Sequence, residues 1–215
     1  MIDGIKLKVC GLTSLADAEF ADRNGADFLG FNLYPGSPRH VSLETFHRIQ
    51  GGLPERKNVV VCVSPTAGEL REFKMAGADF FQVHFPAETP LGDVREWSEV
   101  VGPGRLWLAP RLVPEADVAA PLLSQAEVFL LDTFSPVKFG GTGLTGDWSK
   151  FARHRRNHPR KTWILSGGLT PANIVAALAQ SGAAWVDVNS GVESAPGRKD
   201  RSKIEALVAA MRGPR

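Results

Sequence analysis

The sequence predicts a closed, eight-stranded parallel (βα)8 barrel, the TIM-barrel architecture, built as one α/β domain over residues 1–215. Eight short apolar runs recur along the chain, and segments with helical signals lie between them. Dividing 215 residues among eight units leaves about 27 residues for each strand, helix and pair of short loops. No G-x-G-x-x-G motif follows the first strand, so a closed barrel is favoured over an open doubly wound sheet.

The eight apolar runs are continuous rather than alternating, which is typical of parallel strands that are buried on both faces. They are rich in β-branched and aromatic residues. We expect strands over residues 5–9, 28–33, 59–63, 80–83, 106–108, 128–131, 162–165 and 185–188. In such a barrel, functional residues lie just after the strands, at the C-terminal face.

The first helix has the clearest start and stop signals. Ser14 is a suitable N-cap, Asp17 places a carboxylate near the helix N-terminus, and Asn24-Gly25 supplies a left-handed stop. Further helices are expected over residues 42–49, 67–75, 91–100, 115–124, 148–157, 171–180 and 203–211.

An internal repeat supports the division into equal units. Gly-Ala-Asp-Phe at residues 25–28 recurs 52 positions later at residues 77–80, and Val9-Cys10 recurs at the same offset as Val61-Cys62. A weaker copy occupies residues 182–187. This offset is two units of about 26 residues, the spacing expected of βα units.

Composition excludes several classes of partner. The chain has 25 Lys+Arg against 23 Asp+Glu, a net charge of +2, so nothing indicates nucleic-acid or membrane binding. The basic stretch at residues 153–161 is interpreted as a solvated helix face. Cys10 and Cys62 are expected to be free thiols, and the chain shows no targeting or membrane-spanning segment, which predicts a cytoplasmic protein.

Two glycine-containing turns follow the seventh and eighth predicted strands. Glycine lets backbone N–H groups converge on an anion, and this is the usual phosphate position in such barrels. The sequence therefore predicts a phosphorylated small-molecule ligand. The candidate binding residues are Ser166, Gly167, Gly168, Asn189, Ser190 and Gly191.

Two further strand ends carry groups that could transfer protons. Asp132 follows an apolar strand, where partial desolvation would raise its pKa and suit a general acid, although capping a turn or pairing with a nearby base such as Lys138 is the simpler role. Cys10 ends the first strand and could be a base, although burial in the core is the commoner fate of a cysteine. Cys62, among valines, is expected in the core.

Other candidate features surround this face. Arg39 follows two prolines in a stiff loop and could grip a carboxylate through two parallel hydrogen bonds. The long, glycine-rich segment 134–147 is predicted to be a mobile lid. His84 is expected to face the barrel mouth, with no chemical role assigned.

Motifs along nearly the whole chain resemble the phosphoribosylanthranilate isomerase family of tryptophan biosynthesis. The opening strand reads Lys-Val-Cys-Gly-Leu-Thr at residues 8–13, and the second unit reads Ser-Pro-Arg-His-Val at residues 37–41. Further matching motifs lie at residues 30–31, 34–35, 131–133, 140–143, 147–148, 165–171 and 187–193.

This resemblance implies an isomerase that converts N-(5-phosphoribosyl)anthranilate to 1-(2-carboxyphenylamino)-1-deoxyribulose 5-phosphate by an Amadori rearrangement. It implies that Asp132 is the general acid, that Cys10 is the general base, and that Arg39 holds the anthranilate carboxylate. Gly141 and Gly143 join the two turns in binding substrate, and neither a metal nor an organic cofactor is required. The Cys10 pKa would have to be lowered by its loop.

The chain departs from the family pattern at three places. His84-Phe85 stands where the family usually has His-Gly, and residues 32–33 and 62–65 also differ. An alternative is the related phosphosugar isomerase of histidine biosynthesis, which uses two aspartates and has Asp where this chain has Cys10. A barrel that binds a phosphorylated metabolite without turnover is a second alternative. Monomer and homodimer both remain open.

Overall fold

Eight parallel strands close into a barrel, which confirms the predicted fold class. The computed structural model describes residues 1–53, 57–132 and 147–213. The barrel strands are β1 Lys6–Val9, β2 Phe28–Asn32, β3 Lys57–Val63, β4 Phe80–Pro86, β5 Leu106–Arg111, β6 Val128–Leu131, β7 Thr162–Leu165 and β8 Trp185–Val188. Each strand pairs with the next, and β1 pairs with β8 from Lys6 opposite Trp185 to Val9 opposite Val188, closing the barrel.

A helix follows each strand, with one addition after β8. The helices are α1 Leu15–Arg23, α2 Leu43–Gln50, α3 Ala67–Met75, α4 Leu91–Val101, α5 Ala120–Leu123, α6 Trp148–Asn157, α7 Ile174–Ser181 and α8 Arg201–Met211. Between β8 and α8 lie a 3-10 helix, Ser190–Val192, and a hairpin of β9 Glu193–Ala195 and β10 Arg198–Lys199 that the apolar pattern does not reveal.

The predicted capping of α1 is confirmed. Ser14 Oγ accepts a hydrogen bond from the Asp17 N–H at 3.2 Å, and Gly25 adopts a φ of +93° just beyond the helix. A left-handed residue at this position ends the helix and redirects the chain into β2.

The prediction of a helix over residues 115–124 is wrong for its first half, because side chains of α6 hold that segment in an irregular conformation. Lys150 Nζ donates to the Val113 carbonyl at 2.9 Å, and the Val118 N–H donates to His154 Nε2 at 3.3 Å. Only the four residues of α5 are helical.

The start of α7 also differs from the prediction, because the chain makes a tight turn before it. Asn173 Oδ1 accepts from the Thr170 N–H at 2.8 Å, and Asn173 Nδ2 donates to the Gly168 carbonyl at 2.9 Å. These bonds hold residues 168–173 as a turn, so the helix begins at Ile174 rather than at residue 171.

The repeated Gly-Ala-Asp turns have one structural function. Gly25 and Gly77 have φ values of +93° and +96°. Asp27 Oδ2 accepts from the Leu7 N–H at 2.9 Å, and Asp79 Oδ2 accepts from the Asn58 N–H at 2.9 Å. Each aspartate thus accepts a hydrogen bond from a backbone N–H of the preceding strand. This contact explains the repeat without any catalytic role.

Side chains alternate between the barrel interior and the shell of helices. At the N-terminal ends of the strands, Phe28 lies with its ring centroid 5.0 Å from those of Trp107 and Trp185 and 5.7 Å from that of Phe80. Lys6 Nζ covers this aromatic cluster, 4.4 Å from the Trp185 ring. The cluster fills the bottom of the barrel and leaves the other end for a site.

A larger apolar core lies between the strands and the helices, and it includes Cys62, as expected. On α6, Arg153, Arg155 and Arg156 are exposed, which fits the predicted solvated face. His154 is the exception, since it is only 2% exposed and packs inward. No helix in the described ranges is long and apolar enough to cross a membrane.

Candidate active site

A cavity of about 620 Å³ opens at the C-terminal ends of the strands. It brings together most residues that the sequence singled out, from five βα loops that are distant in sequence. These residues are Cys10, Arg39, Asp132, Ser166, Gly167, Gly168, Asn189, Ser190 and Gly191. Gly141 and Gly143 lie outside the described residues, as does the predicted lid apart from Asp147, which caps α6 by accepting from the Lys150 N–H at 2.9 Å.

Strand alternation explains why these side chains converge. Cys10, Asp132 and Asn189 each directly follow a barrel strand, at the first inward-pointing position beyond it. All three line the cavity.

Gly11 allows the walls of the cavity to approach each other. Its φ is +71°, and a Cβ atom at this position would lie 2.6 Å from both Arg39 Cδ and Asn189 Oδ1. Arg39 and Asn189 therefore occupy space that any side chain at position 11 would need.

Cys10 is only 4% exposed, although it lines the cavity. Burial raises the pKa of its thiol, and the Lys8 ammonium opposes this rise without cancelling it. The expectation that the loop lowers the Cys10 pKa is therefore wrong, because desolvation outweighs the nearby positive charge.

A buried ion pair lies directly below Cys10. Lys8 Nζ is 3.0 Å from Asp187 Oδ1, and the two residues face each other across β1 and β8. Lys8 is 1% exposed and Asp187 is 6% exposed. Burial alone would lower the Lys8 pKa, but the charge of Asp187 and its hydrogen bond with Lys8 oppose burial and the pKa is left raised, so the ammonium stays protonated.

Arg39 is held by a carboxylate that the sequence did not point to. Its Nε donates to Glu193 Oε1 at 2.9 Å and its Nη2 donates to Glu193 Oε2 at 2.7 Å. Lys199 Nζ donates to Glu193 Oε1 at 2.8 Å and to Asn189 Oδ1 at 3.1 Å. Two buried basic side chains thus share one carboxylate beside the cavity. Burial lowers the Lys199 pKa, and the Glu193 charge opposes this effect.

The same contacts perturb the Glu193 carboxyl. Burial raises its pKa, but hydrogen bonds and charges from Arg39 and Lys199 outweigh burial and leave the pKa lowered. Glu193 is therefore ionised at neutral pH and fixes the orientation of the Arg39 guanidinium. The edge of the guanidinium that Glu193 does not contact can donate to other acceptors.

The two glycine turns touch each other. A Cβ atom at Gly191 would lie 1.9 Å from the Leu169 carbonyl oxygen, so only glycine fits there. Gly167 and Gly168 have φ values of +92° and +62°. Within the described part of the chain, no acceptor takes the backbone N–H groups of these two glycines, of Ser190 or of Gly191. Four adjacent donors at a cavity wall form a surface suited to an anion.

His84 faces the cavity, as expected, and is neutral. Burial lowers its pKa to about 4, and the Lys8 charge adds to this effect. Gln82 Nε2 lies 2.8 Å from His84 Nε2, and since an amide nitrogen only donates, the ring nitrogen accepts. Phe85, which replaces the glycine of the family pattern, is 1% exposed, with its ring centroid 5.4 Å from that of Trp97. Strand β4 continues to Pro86, which pairs with Arg111 of β5.

Four charged residues of the site were not singled out by sequence analysis: Lys8, Asp187, Glu193 and Lys199. A signal existed for the first two, because each interrupts an apolar run that was predicted to be buried on both faces. Glu193 and Lys199 lie on the β9–β10 hairpin, which carries no apolar pattern, so their positions follow only from the fold.

Comparison with known proteins agrees with this geometry. The family model for N-(5'-phosphoribosyl)anthranilate (PRA) isomerase matches residues 7–210. An N-(5'-phosphoribosyl)anthranilate isomerase of Magnetococcus marinus is 39% identical over 210 residues, covering 97% of this chain and 95% of that protein.

Solved structures lead to the same family. The phosphoribosyl anthranilate isomerase of Thermotoga maritima superposes with a TM-score of 0.81 at 32% identity, covering 98% of this chain and 100% of that one. A structure of phosphoribosyl anthranilate isomerase in complex with reduced 1-(o-carboxyphenylamino)-1-deoxyribulose 5-phosphate gives a TM-score of 0.80 at 32% identity, with the same coverage of both chains. The chain belongs to the N-(5'-phosphoribosyl)anthranilate isomerase family.

Proposed function

We propose that this protein converts N-(5-phosphoribosyl)anthranilate to 1-(2-carboxyphenylamino)-1-deoxyribulose 5-phosphate, as a step of tryptophan biosynthesis. The observation that carries the proposal is the meeting of Cys10, Asp132 and the two glycine turns in one cavity of a chain that belongs to this family. A volume of about 620 Å³ suits a ligand that joins an aromatic ring to a pentose phosphate.

Asp132 is the proposed general acid. It is half-buried at the end of β6 and lines the cavity. Protonation of the furanose ring oxygen by its carboxyl group would open the sugar and leave an iminium ion between C1 and the anthranilate nitrogen.

Cys10 is the proposed general base. Removal of the C2 proton by its thiolate would convert the iminium ion to an enolamine, which collapses to the ketose. Burial raises the Cys10 pKa, so the thiolate is the minor form near neutral pH. We therefore expect kcat/KM to increase with pH through neutrality, since the base must be deprotonated to act.

Arg39 is the proposed partner of the anthranilate carboxylate. Glu193 holds the Nε edge of the guanidinium, and Lys199 compensates the charge of Glu193. Without Lys199, the carboxylate of Glu193 would cancel the attraction of Arg39 for a substrate anion.

The phosphate is assigned to the backbone N–H groups of Gly167, Gly168, Ser190 and Gly191. Neutral donors can bind an anion in this way without changing the net charge of the chain, which is only +2. Ser166 and Asn189 complete this wall, and Gly141 and Gly143 are proposed to contact substrate from the segment between β6 and α6.

We further propose that residues 1–215 act as one catalytic domain in the cytoplasm, with a phosphorylated small molecule as the partner. We expect neither a nucleic acid nor a membrane as a partner, and the proposal is compatible with a monomer or a homodimer.

The test is conversion of N-(5-phosphoribosyl)anthranilate by the purified protein, followed through the loss of substrate fluorescence. The phosphosugar substrate of the related histidine-pathway isomerase serves as the control. We expect turnover of the first and none of the second. Saturable binding without turnover of the first substrate, or failure of soluble protein to rescue a tryptophan auxotroph lacking this isomerase, would refute the proposal.

A further inference from the structure

We propose that Lys8 is a positioning residue for Cys10, whose buried ammonium, anchored by Asp187, stabilises the thiolate form of Cys10 at the cavity floor. The catalytic consequence of this inference depends on the proposed function, but the effect on the thiol does not. The argument depends on where the two side chains lie, on the net charge around them, and on a second thiol for comparison.

The fold places Lys8 and Cys10 side by side. They are two residues apart along β1 and its end, so both side chains point into the barrel. A Cβ atom on Gly30 of β2 would lie 2.9 Å from Lys8 Cε and 3.0 Å from Cys10 Sγ. These two atoms are therefore no more than about 6 Å apart, and the missing side chain of Gly30 provides the space that they share.

Stability alone does not account for a lysine at this position. Removing an ammonium from water costs several kcal/mol, and a buried ion pair often stabilises a fold no better than apolar residues of similar volume. The other strands fill the barrel interior below this level with apolar side chains such as Val59, Val128 and Ile164. A charged pair exposed at 1% and 6% is thus a costly feature that marks a functional position.

Asp187 orients the ammonium and offsets only part of its effect on the thiol. It takes one of the three Lys8 donors at 3.0 Å, and the Gly30 contacts place the end of the lysine side chain within about 6 Å of the Cys10 sulfur. The charge of Lys8 is the strongest influence that favours the Cys10 thiolate.

Other ionisable groups also face Cys10. Asp187 opposes the thiolate, and Lys199 of β10, which is paired with Glu193, favours it more weakly than Lys8 does. Asp132 of β6 and the neutral His84 of β4 line the same cavity. Lys8 is therefore the cation whose removal should change the thiol most.

Cys62 provides an internal comparison. It is buried to the same extent as Cys10, at 4% exposure, but its thiol hydrogen bond goes to the Gln82 carbonyl at 3.8 Å. Burial and, to a smaller extent, the Glu69 charge raise its pKa, and no cation among the described residues lowers it. Each thiol thus has burial and one carboxylate that raise its pKa, whereas only Cys10 has lysines that oppose them.

The test is Lys8→Met, with the alkylation rate of Cys10 by iodoacetamide measured against pH by peptide mass spectrometry. An opposite charge at this range shifts a pKa by about 1–3 units, so we expect the Cys10 midpoint to increase by at least about one pH unit. The rising limb of kcat/KM should move by the same amount, with at least about a tenfold loss near neutral pH that is recovered at high pH.

Lys6→Met is the matched control, because Lys6 lies on the same strand two residues earlier and covers the Trp185 ring instead. It should leave the Cys10 midpoint unchanged. If Lys8→Met does not fold, Lys8→Met/Asp187→Asn removes both charges together and should still titrate above the wild type, because Lys8 affects the thiol more than Asp187 does.

An unchanged Cys10 midpoint in the folded variant, an equal shift in Lys6→Met, or a loss of activity that is the same at every pH would each overturn the inference. Absence of isomerase activity in the wild type, together with the expected shift of the Cys10 midpoint, would refute the proposed function and leave the role of Lys8 intact.

Discussion

The two ends of the barrel interior are filled by different chemistry. At the N-terminal end, the rings of Phe28, Phe80, Trp107 and Trp185 pack against one another, mostly edge to face, with lysines over the rings. At the C-terminal end, the cavity is surrounded by the Lys8–Asp187 pair and by a carboxylate that two cations share. One end gains free energy from buried apolar surface, whereas the other pays desolvation to keep charged groups in place.

This difference assigns stability to the N-terminal end, called the lower end below, and chemistry to the C-terminal end, called the upper end. It predicts that substitutions at the lower end change the free energy of unfolding but not the turnover of the folded protein. Substitutions at the cavity should lower turnover and change the free energy of unfolding little. The largest effects should come from side chains whose contacts no neighbouring side chain can replace.

The largest expected effect is on Phe28→Ala at the lower end. Phe28 is 3% exposed and contacts three aromatic rings, so truncation should cost about 3–5 kcal/mol of unfolding free energy. Denaturant titration measures this, while kcat of the remaining folded protein should stay at the wild-type value. Met75→Ala, at a side chain that is 83% exposed, should change stability by no more than about 0.5 kcal/mol. A large fall in kcat for Phe28→Ala would show that the two ends are coupled.

The next largest effect is expected for Cys10 at the upper end, and Cys62 provides the comparison because it is buried to the same extent. Cys10→Ala should lower kcat by about 100-fold or more, which is about 2.7 kcal/mol of barrier, with little change in stability. Cys62→Ala removes an equally buried sulfur from the apolar core between the strands and the helices. It should cost about 1 kcal/mol of stability without changing kcat. Similar kcat values for the two variants would exclude Cys10 as the base.

The sequence predicted the barrel well because each strand is a continuous apolar run and each turn has its own chemistry. It placed Cys10, Asp132 and the two glycine turns at the correct face for the same reason, since the ends of the strands mark that face. The charged residues around them were harder to find. Glu193 meets Arg39 across 154 positions of sequence, a contact that only the closed barrel brings about.

The sign of the Cys10 pKa shift could not be read from the sequence either. A cysteine before a glycine loop suggests activation by the loop, but the shift depends on how deeply the strand end is buried. Likewise, the replacement of a glycine by Phe85 gave no indication that β4 would continue to Pro86, because that depends on its pairing with Pro110 and Arg111 of β5.

A smaller effect is expected for Gly191→Ala, which tests whether the two glycine turns bind the phosphate. Its Cβ would collide with the Leu169 carbonyl, so the two turns must separate and their N–H groups would lose alignment. We expect KM to increase about tenfold, or about 1.4 kcal/mol, with a smaller change in kcat, as measured by initial rates. The control is Gly92→Ala in α4, where a Cβ meets nothing within 4 Å and alanine favours the helix. An unchanged KM in Gly191→Ala would move the phosphate elsewhere.

The smallest expected effect concerns the repeated turns at the lower end. Asp79→Ala leaves the Asn58 N–H without its 2.9 Å acceptor and should cost about 1 kcal/mol of unfolding free energy, with kcat/KM unchanged. Asp79→Asn keeps an oxygen that can accept this bond, so its cost should be lower, and thermal denaturation of both variants measures the difference. Asp27→Ala removes the equivalent bond to the Leu7 N–H together with the 2.8 Å ion pair to the N-terminal amine, so it should be at least as destabilising. A loss of kcat/KM in Asp79→Ala without a loss of stability would mean that the repeat serves the site, and the division of the barrel into a stabilising end and a reactive end would fail.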